Sequence, residues 1–295
     1  MIQQNAVDLT VSERTERRSE RGALRISSPG MVGAYAILAL LAVLYLIPLA
    51  FVLRVSLMSS RQFALNAAWL PDPIMWANYP TAWVKGAFST YFVNSLVYTF
   101  AIVAVTLIIS TLAAFPIARG HLRGTNVFYI VFLSGILLPV GIIPQFFILQ
   151  QLGLYNTQIG YILLWCSRVA LPIFVLTGFI KSIPAELDDA AAIDGCPYIR
   201  YVFQIIMPLL KPALSVVGLI LAIRVWNDII GPVIFLPSKE IKPISAGLLQ
   251  FFSENAADWT LIAAAILITA SPLVLLYLFA QRYIIAGVTG GALKG

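Results

Sequence analysis

The stretch KSIPAELDDAAAIDGCPYIRYVFQIIMPLLKP, residues 181–212, sets Glu186, Asp188, Asp189 and Asp194 between two long apolar runs. Only 11% of the chain is charged, and 60% is hydrophobic. A charged island of that size is too costly to place in hydrocarbon, so it reads as an extramembrane loop with its own structure. Pro184 suits a first helical turn. Glu186, Asp188 and Asp189 then lie near a helix N-terminus, where acids are favoured. Leu187, Ala190, Ala191 and Asp194 recur at helical spacing on one face. Gly195 takes the C-cap place, and Pro197 stops continuation. A second segment carries Ile199, Val202, Phe203 and Ile206 on one stripe, and Pro208 and Pro212 mark the entry to the next apolar run. The shallow alanine face suits docking into a groove. A solvated amphipathic helix on the membrane surface is the alternative.

Outward from this loop, apolar runs recur along the whole chain of 295 residues. They are continuous rather than alternating, which points to an all-α polytopic membrane protein and away from a β-barrel. Six candidate spans are near the ~20 residues a crossing helix needs: about 31–53, 90–117, 127–149, 157–180, 212–236 and 259–283. Pro139 and Pro144 predict a kink or break in the third. Residues 1–30 form a polar tail in which Arg14, Arg17, Arg18, Arg21 and Arg25 alternate with Glu13, Glu16 and Glu20. The tail is too long and too mixed in charge for a signal peptide, so no cleavage is expected. Residues 31–295 form the membrane domain, with the acidic loop at 181–211.

Lys and Arg collect at the N-terminal tail, Arg119, Arg123, Lys181, Arg200, Lys211, Arg282 and Lys294. That side is cytoplasmic by the positive-inside rule, so both termini and the acidic loop are expected in the cytosol. The aromatic loop 54–88, with Trp69, Trp76, Tyr79 and Trp83, and the loop 237–258 then face outward. Either interfacial anchoring or contact with an outer protein accounts for their composition. The net charge of +6 suits loops facing anionic lipid rather than nucleic acid. His121 is the one histidine, and Cys166 and Cys196 are the two cysteines. They offer no metal site and no disulfide framework.

Charges inside spans are costly and usually face a cavity or a bundle interior. Arg168 lies near the middle of the fourth span. Arg224 and Asp228 lie one turn apart in the fifth, with Asp228 about 25 Å along the helix from Lys211. Arg168, Arg224, Trp226, Asn227 and Asp228 either line a solute pathway, with Trp226 stacking on a ring, or hold spans together through an Arg224–Asp228 pair.

The order Glu186-Leu-Asp-Asp-Ala-Ala-Ala-Ile-Asp-Gly195, continued by Phe203, Ile206, Pro208 and Pro212, resembles the "EAA…G" loop of ABC importer membrane subunits. Asp189 stands where that family has glutamate, and Cys196 where a small residue is usual. Phe92-Val-Asn-Ser-Leu96, Ala113-Ala-Phe-Pro-Ile-Ala-Arg119, Trp226-Asn-Asp228 with Pro232, and the closing Gly287-Val-Thr-Gly-Gly-Ala-Leu-Lys-Gly295 are similar to carbohydrate importers of the maltose-permease type. The resemblance implies a type I ABC importer permease fold with six transmembrane helices in a bacterial inner membrane. It implies a non-catalytic subunit without cofactor. Its partners would be a second permease in a heterodimer, two cytoplasmic ATPases, an extracytoplasmic solute-binding protein and a carbohydrate substrate. Glu186, Leu187, Asp189, Ala190, Ala191, Asp194 and Gly195 would then meet the ATPase. Independently, the chain has no G-x-x-x-x-G-K-[ST] phosphate loop, so it is not itself a nucleotide motor of that class. A secondary transporter or channel is the competing class, but it would call for inverted repeats or a line of membrane acids.

Overall fold

The computed structural model describes residues 29–65, 70–121 and 123–292. The polar tail up to residue 28, Trp69, and residues 293–295 including Lys294 lie outside the described residues. The chain divides into two units, Met1–Val52 and Leu53–Gly295. Within the first, the described residues belong to helix α1, Pro29–Ser56, whose last turn reaches into the second unit.

The second unit opens with α2, Ser60–Ala64, and α3, Asn78–Lys85. The loop expected between the first two spans is therefore partly helical. Ser59 begins α2 with a capping box, each of Ser59 and Gln62 bonding the other's backbone N–H. Helix α4, Phe88–Arg119, is the longest element in the middle of the chain, and its most extensive packing is against the helices at residues 170–181 and 211–226. Its polar residues Asn94, Ser95 and Tyr98 are buried because they hold the loop at residues 240–244. Asn94 donates to the Glu240 and Lys242 carbonyls at 2.8 and 3.0 Å, and Tyr98 to the Ile241 carbonyl at 2.6 Å. Ser95 accepts from the Ile244 amide at 2.7 Å.

The third span is broken as the prolines predict. Helices α5, Thr125–Leu137, and α6, Ile142–Gln151, meet at 109°. Pro139 forces Leu138 into extended backbone, whereas Pro144 falls in the first turn of α6, where it is tolerated. The fourth span is also broken, into α7, Gln158–Cys166, and α8, Ala170–Lys181, at 46°. Pro172 accounts for this break: it has no N–H to offer the Arg168 carbonyl, and its ring crowds that oxygen.

The acidic loop contains α9, Glu186–Ile193, and α10, Tyr198–Tyr201. A π-helical turn, Val202–Ile206, follows, and α11, Met207–Leu209, ends at an 84° elbow into α12, Lys211–Trp226. Pro208 removes the N–H that an α-turn would present to Gln204, and the wider turn accommodates the loss. The fifth span thus ends ten residues before the expected 236. Asn227 bonds back to the Ile223 carbonyl, and Asp228 Oδ1 accepts the Gly231 amide at 3.0 Å. These side chains turn the backbone into a separate short helix, α13, Ile230–Phe235. The 237–258 region is likewise not a plain loop, for it holds α14, Ile244–Glu254.

The last helix, α15, spans Trp259–Ala292. Its start is capped by Asp258, whose Oδ1 accepts Thr260 Oγ1 at 2.8 Å, Ser60 Oγ at 3.1 Å and the Leu261 amide at 3.3 Å. Burial works to raise the Asp258 pKa, but these donors overcome it and hold the carboxyl below its ordinary value. Its contribution to stability is therefore full above the ordinary carboxylate range and is lost as pH falls through the lowered value. Asp258→Ala is expected to cost about 1 kcal/mol. Thermal unfolding of the purified protein from pH 7 to pH 3 checks this, and the penalty of the variant should shrink toward the acid end.

α1, α4 and α15 are each long and apolar enough to cross a membrane alone, and the three bent pairs supply the other segments, up to six. The protein is thus an all-α membrane protein, as its apolar runs require.

Candidate functional site

Two places concentrate side chains that packing alone does not call for. The first is the acidic loop. α9 has no side-chain N-cap, but three acids occupy its first turn. It ends in a Schellman motif: the Cys196 amide bonds the Ala191 carbonyl at 2.9 Å, and the Gly195 amide bonds that of Ala192 at 3.1 Å. Gly195 has φ +64°, the left-handed conformation this motif needs. Any other residue there is strained by about 1–2 kcal/mol, although a Cβ would meet nothing within 4 Å. Gly195→Val is accordingly expected to fray the end of α9 without disturbing the core, read as faster amide exchange confined to residues 190–197.

The inner face of α9 is anchored by Asp188. Arg119, the last residue of α4, lies with Nε 2.6 Å from Asp188 Oδ2 and donates Nη2 to Oδ1 at 3.2 Å. The same guanidinium donates to the Ile183 carbonyl at 3.0 Å. Tyr201 also donates its hydroxyl to Asp188. Burial, then the neighbouring Asp188 carboxylate, pushes the Tyr201 hydroxyl well above its ordinary pKa, so it stays a donor at any physiological pH. Tyr198 donates to the Leu112 carbonyl at 2.7 Å, and Phe115 packs against both tyrosines. Ala191 is buried in the same cluster, with Ile173, Leu176, Ile180, Val202 and Ile206.

This geometry corrects one expectation. Ala191 faces the protein's own core, so it is not available to an outside partner. The outward face is Glu186, Asp189, Ala190 and Ile193, which recur at i, i+3, i+4 and i+7 and are all exposed. Leu187, Asp194 and Gly195 are exposed beside it. Ile193, 86% exposed, is among the most exposed large apolar side chains in the chain. Sequence reasoning missed both it and Asp188. Asp188 stands three residues before Ala191 and so shares its side of the helix, but the spacing alone does not say that this side faces the core.

The second place is a cavity of about 310 Å³ beside the break between α7 and α8. Trp165, Arg168, Arg224 and Asp228 line it, with Leu171, Pro172 and Leu221. Asp228 Oδ2 accepts the Tyr161 hydroxyl at 2.9 Å and Trp165 Nε1 at 3.1 Å, while Oδ1 is taken by Gly231. A Cβ on Gly231 would lie 2.3 Å from Asp228 Oδ2, so a larger residue there would push the carboxylate off its donors. The Arg168 guanidinium lies over the Trp165 ring, 4.2 Å from its centre.

Two further expectations change here. Arg224 and Asp228 do not form a direct ion pair; Asp228 is held by neutral donors from α7 instead. Trp226 is buried, donates to the Thr269 carbonyl at 3.1 Å and meets Phe92 edge-on, so it is a packing residue and cannot stack on a solute. Trp165 is the aromatic that lines the cavity. Asn227 is exposed and bonds its own helix.

The family model for the binding-protein-dependent transport system inner membrane component matches residues 73–290. The chain is similar to the probable ABC transporter permease protein YurM of Bacillus subtilis (strain 168), 33% identical over 264 residues, covering 85% of this chain and 86% of that one. It is 31% identical over 262 residues to the melibiose/raffinose/stachyose import permease protein MelC of the same organism, covering 87% and 94%. Among solved structures, a bacterial ABC transporter involved in the import of the acidic polysaccharide alginate superposes with a TM-score of 0.77 at 25% identity, covering 86% of this chain and 96% of that one.

Proposed function

This chain belongs to the binding-protein-dependent transport system inner-membrane component family, and from that membership we propose how it works as the permease subunit of an ABC importer of sugars. It sits in the inner membrane with both termini and α9 in the cytoplasm. A second permease completes the pathway, two ATPase subunits in the cytoplasm supply the energy, and a solute-binding protein delivers sugar from outside. The polar tail 1–30 is cytoplasmic, and 31–295 is the permease domain.

The observation that carries this reading is the division of α9 into two faces. Its inner face is locked to the end of α4 by Arg119, Asp188 and Tyr201. Its outer face, Glu186, Asp189, Ala190 and Ile193, is exposed. A helix so divided suits a plug seated in another subunit's groove, read at i, i+3, i+4 and i+7. Leu187, Asp194 and Gly195 border the contact, and Ala191 supports it from behind. Closure of the ATPase dimer on ATP moves α9, and the Arg119–Asp188 link transmits that motion to α4. The chain after α10 transmits it through the 84° elbow to α12. The two packed arrangements open the pathway to opposite sides, and ATP shifts the balance between them by binding one better.

The cavity beside the α7–α8 break is the part of the sugar pathway that this chain contributes. Arg168, Arg224 and Asp228 supply polar groups there, and Trp165 backs the Arg168 guanidinium; Asn227 lies outside its lining. Broken helices at membrane depth are tolerated where they line such a cavity.

Reconstitution tests the reading. Vesicles containing this permease and the subunits that co-purify with it are expected to accumulate sugar only with binding protein outside and hydrolysable ATP inside. Accumulation driven by an ion gradient without ATP would instead make the chain a secondary transporter. Asp228→Asn is expected to lower uptake while leaving ATPase assembly intact, because the carboxylate is held by Tyr161, Trp165 and Gly231 and sits in the pathway.

A further inference from the structure

The 310 Å³ cavity carries more positive charge than its own residues neutralise. Two guanidiniums, Arg168 and Arg224, line it against one carboxylate, Asp228. That carboxylate is already filled by Tyr161, Trp165 and Gly231, and neither arginine forms an ion pair with it. Arg168 Nε is buried with no hydrogen-bond partner. A charged donor left in that state at membrane depth costs free energy unless something accepts from it. Stacking on Trp165 holds the guanidinium plane in place and does not satisfy its N–H groups.

A third positive element converges on the same space. α8 begins at Ala170, two residues after Arg168, and has no side-chain cap. Its first-turn residues Leu171 and Pro172 line the cavity, so the helix presents its positive end there. The arrangement therefore joins two guanidiniums and an uncapped N-terminus in a space within the range of small-molecule sites.

We propose that this cavity recognises an anionic group, a carboxylate or a phosphate ester, on the carbohydrate that passes through the permease. This rests on the cavity being part of the sugar pathway. Arg168 and Arg224 bind the anion in planar, charge-assisted geometry. Trp165 backs Arg168 and holds its guanidinium plane toward the anion. Asp228 keeps Trp165 and Tyr161 in position, and the two guanidiniums against its one carboxylate leave the site a net positive charge. A neutral sugar offers the buried Arg168 Nε no charged acceptor and passes this point less favourably.

The test uses the full chain in lipid nanodiscs with the permease and ATPase subunits that co-purify with it, without ATP. Digalacturonate, glucose 6-phosphate and the neutral disaccharide galactobiose are titrated by calorimetry. At least one of the anionic sugars is expected to bind about tenfold or more tightly than galactobiose, a difference of about 1.4 kcal/mol. Arg168→Gln and Arg224→Gln should each abolish that preference, whereas Arg224→Lys should keep much of it, and raising the salt concentration should shrink it. Equal affinity for all three sugars, absence of binding by both anionic sugars, or an unchanged preference in the Gln variants overturns the proposal. So does loss of the partner permease from the purified Gln variants, which would assign the guanidiniums to contacts between permeases. Because no ATP is present, none of these results bears on coupling through α9, which the vesicle uptake experiment decides separately.

Discussion

Ile193→Asp is expected to abolish ATP-driven uptake while leaving the protein folded and in the membrane. Ile193 ends the outward face of α9 and is 86% exposed, so nothing inside the permease depends on it. Buried in a partner's groove, it would act as an anchor. Truncating or charging such an anchor costs 2 kcal/mol or more, which is about thirtyfold or more in affinity for the ATPase. Ile193→Leu keeps the apolar contact and should retain most uptake. Ala190→Trp, on the same face, should act like Ile193→Asp through bulk rather than charge. The readouts are uptake into vesicles and the amount of ATPase that co-purifies. Normal uptake by Ile193→Asp would remove this face from the coupling contact.

Arg119→Ala should have the second large effect, by a different route. It strips Asp188 of its cationic partner and leaves a half-buried carboxylate held by Tyr201 alone. It also frees the Ile183 carbonyl. Breaking a shielded pair from one side costs on the order of 3 kcal/mol. The loss should appear as faster amide exchange across residues 183–201, and as ATP hydrolysis that continues without matching uptake. Removing Asp188 together with Arg119 should cost less than the two single losses added, because the pair acts as a unit. Additive costs would mean that α9 is attached mainly by the packing of Ala191, Phe115 and Tyr201. These two predictions separate the two faces of one helix: Ile193 tests what it docks on, and Arg119 tests what it pulls.

Much of this was legible in the chain. Apolar runs of crossing length are a one-dimensional property, so the spans and their number could be read without contacts. Pro139 broke the third span because a proline restricts the residue before it wherever it stands. Gly195 sits in the left-handed conformation its place after an apolar-periodic segment demands. Less legible were the features that depend on which elements meet. The fifth span ends at Trp226 because Asn227 and Asp228 turn back on the local backbone, and apolar Ile229–Leu236 concealed that stop. Trp226 looked like a ring for a sugar, yet Phe92 and Thr269 cover it. Asp228 looked like the partner of Arg224 one turn away, yet Tyr161 and Trp165 of another span reach it first.

By itself the sequence determined the class of protein, the position of the acidic loop, the stop at Gly195 and the breakage of the third span, because hydrophobicity, proline geometry and glycine freedom act locally. Only the tertiary structure decided which side of α9 is free. Helical spacing puts Ala190 and Ala191 on adjoining faces but does not say which face the core takes. The Arg119–Asp188 link, joining residues 69 positions apart, takes one side and leaves Ile193 on the other. It likewise decided that Arg224 and Asp228 join Arg168 at one cavity while Trp226 is covered, because a cavity is made by spans that meet in space and no single span encodes it.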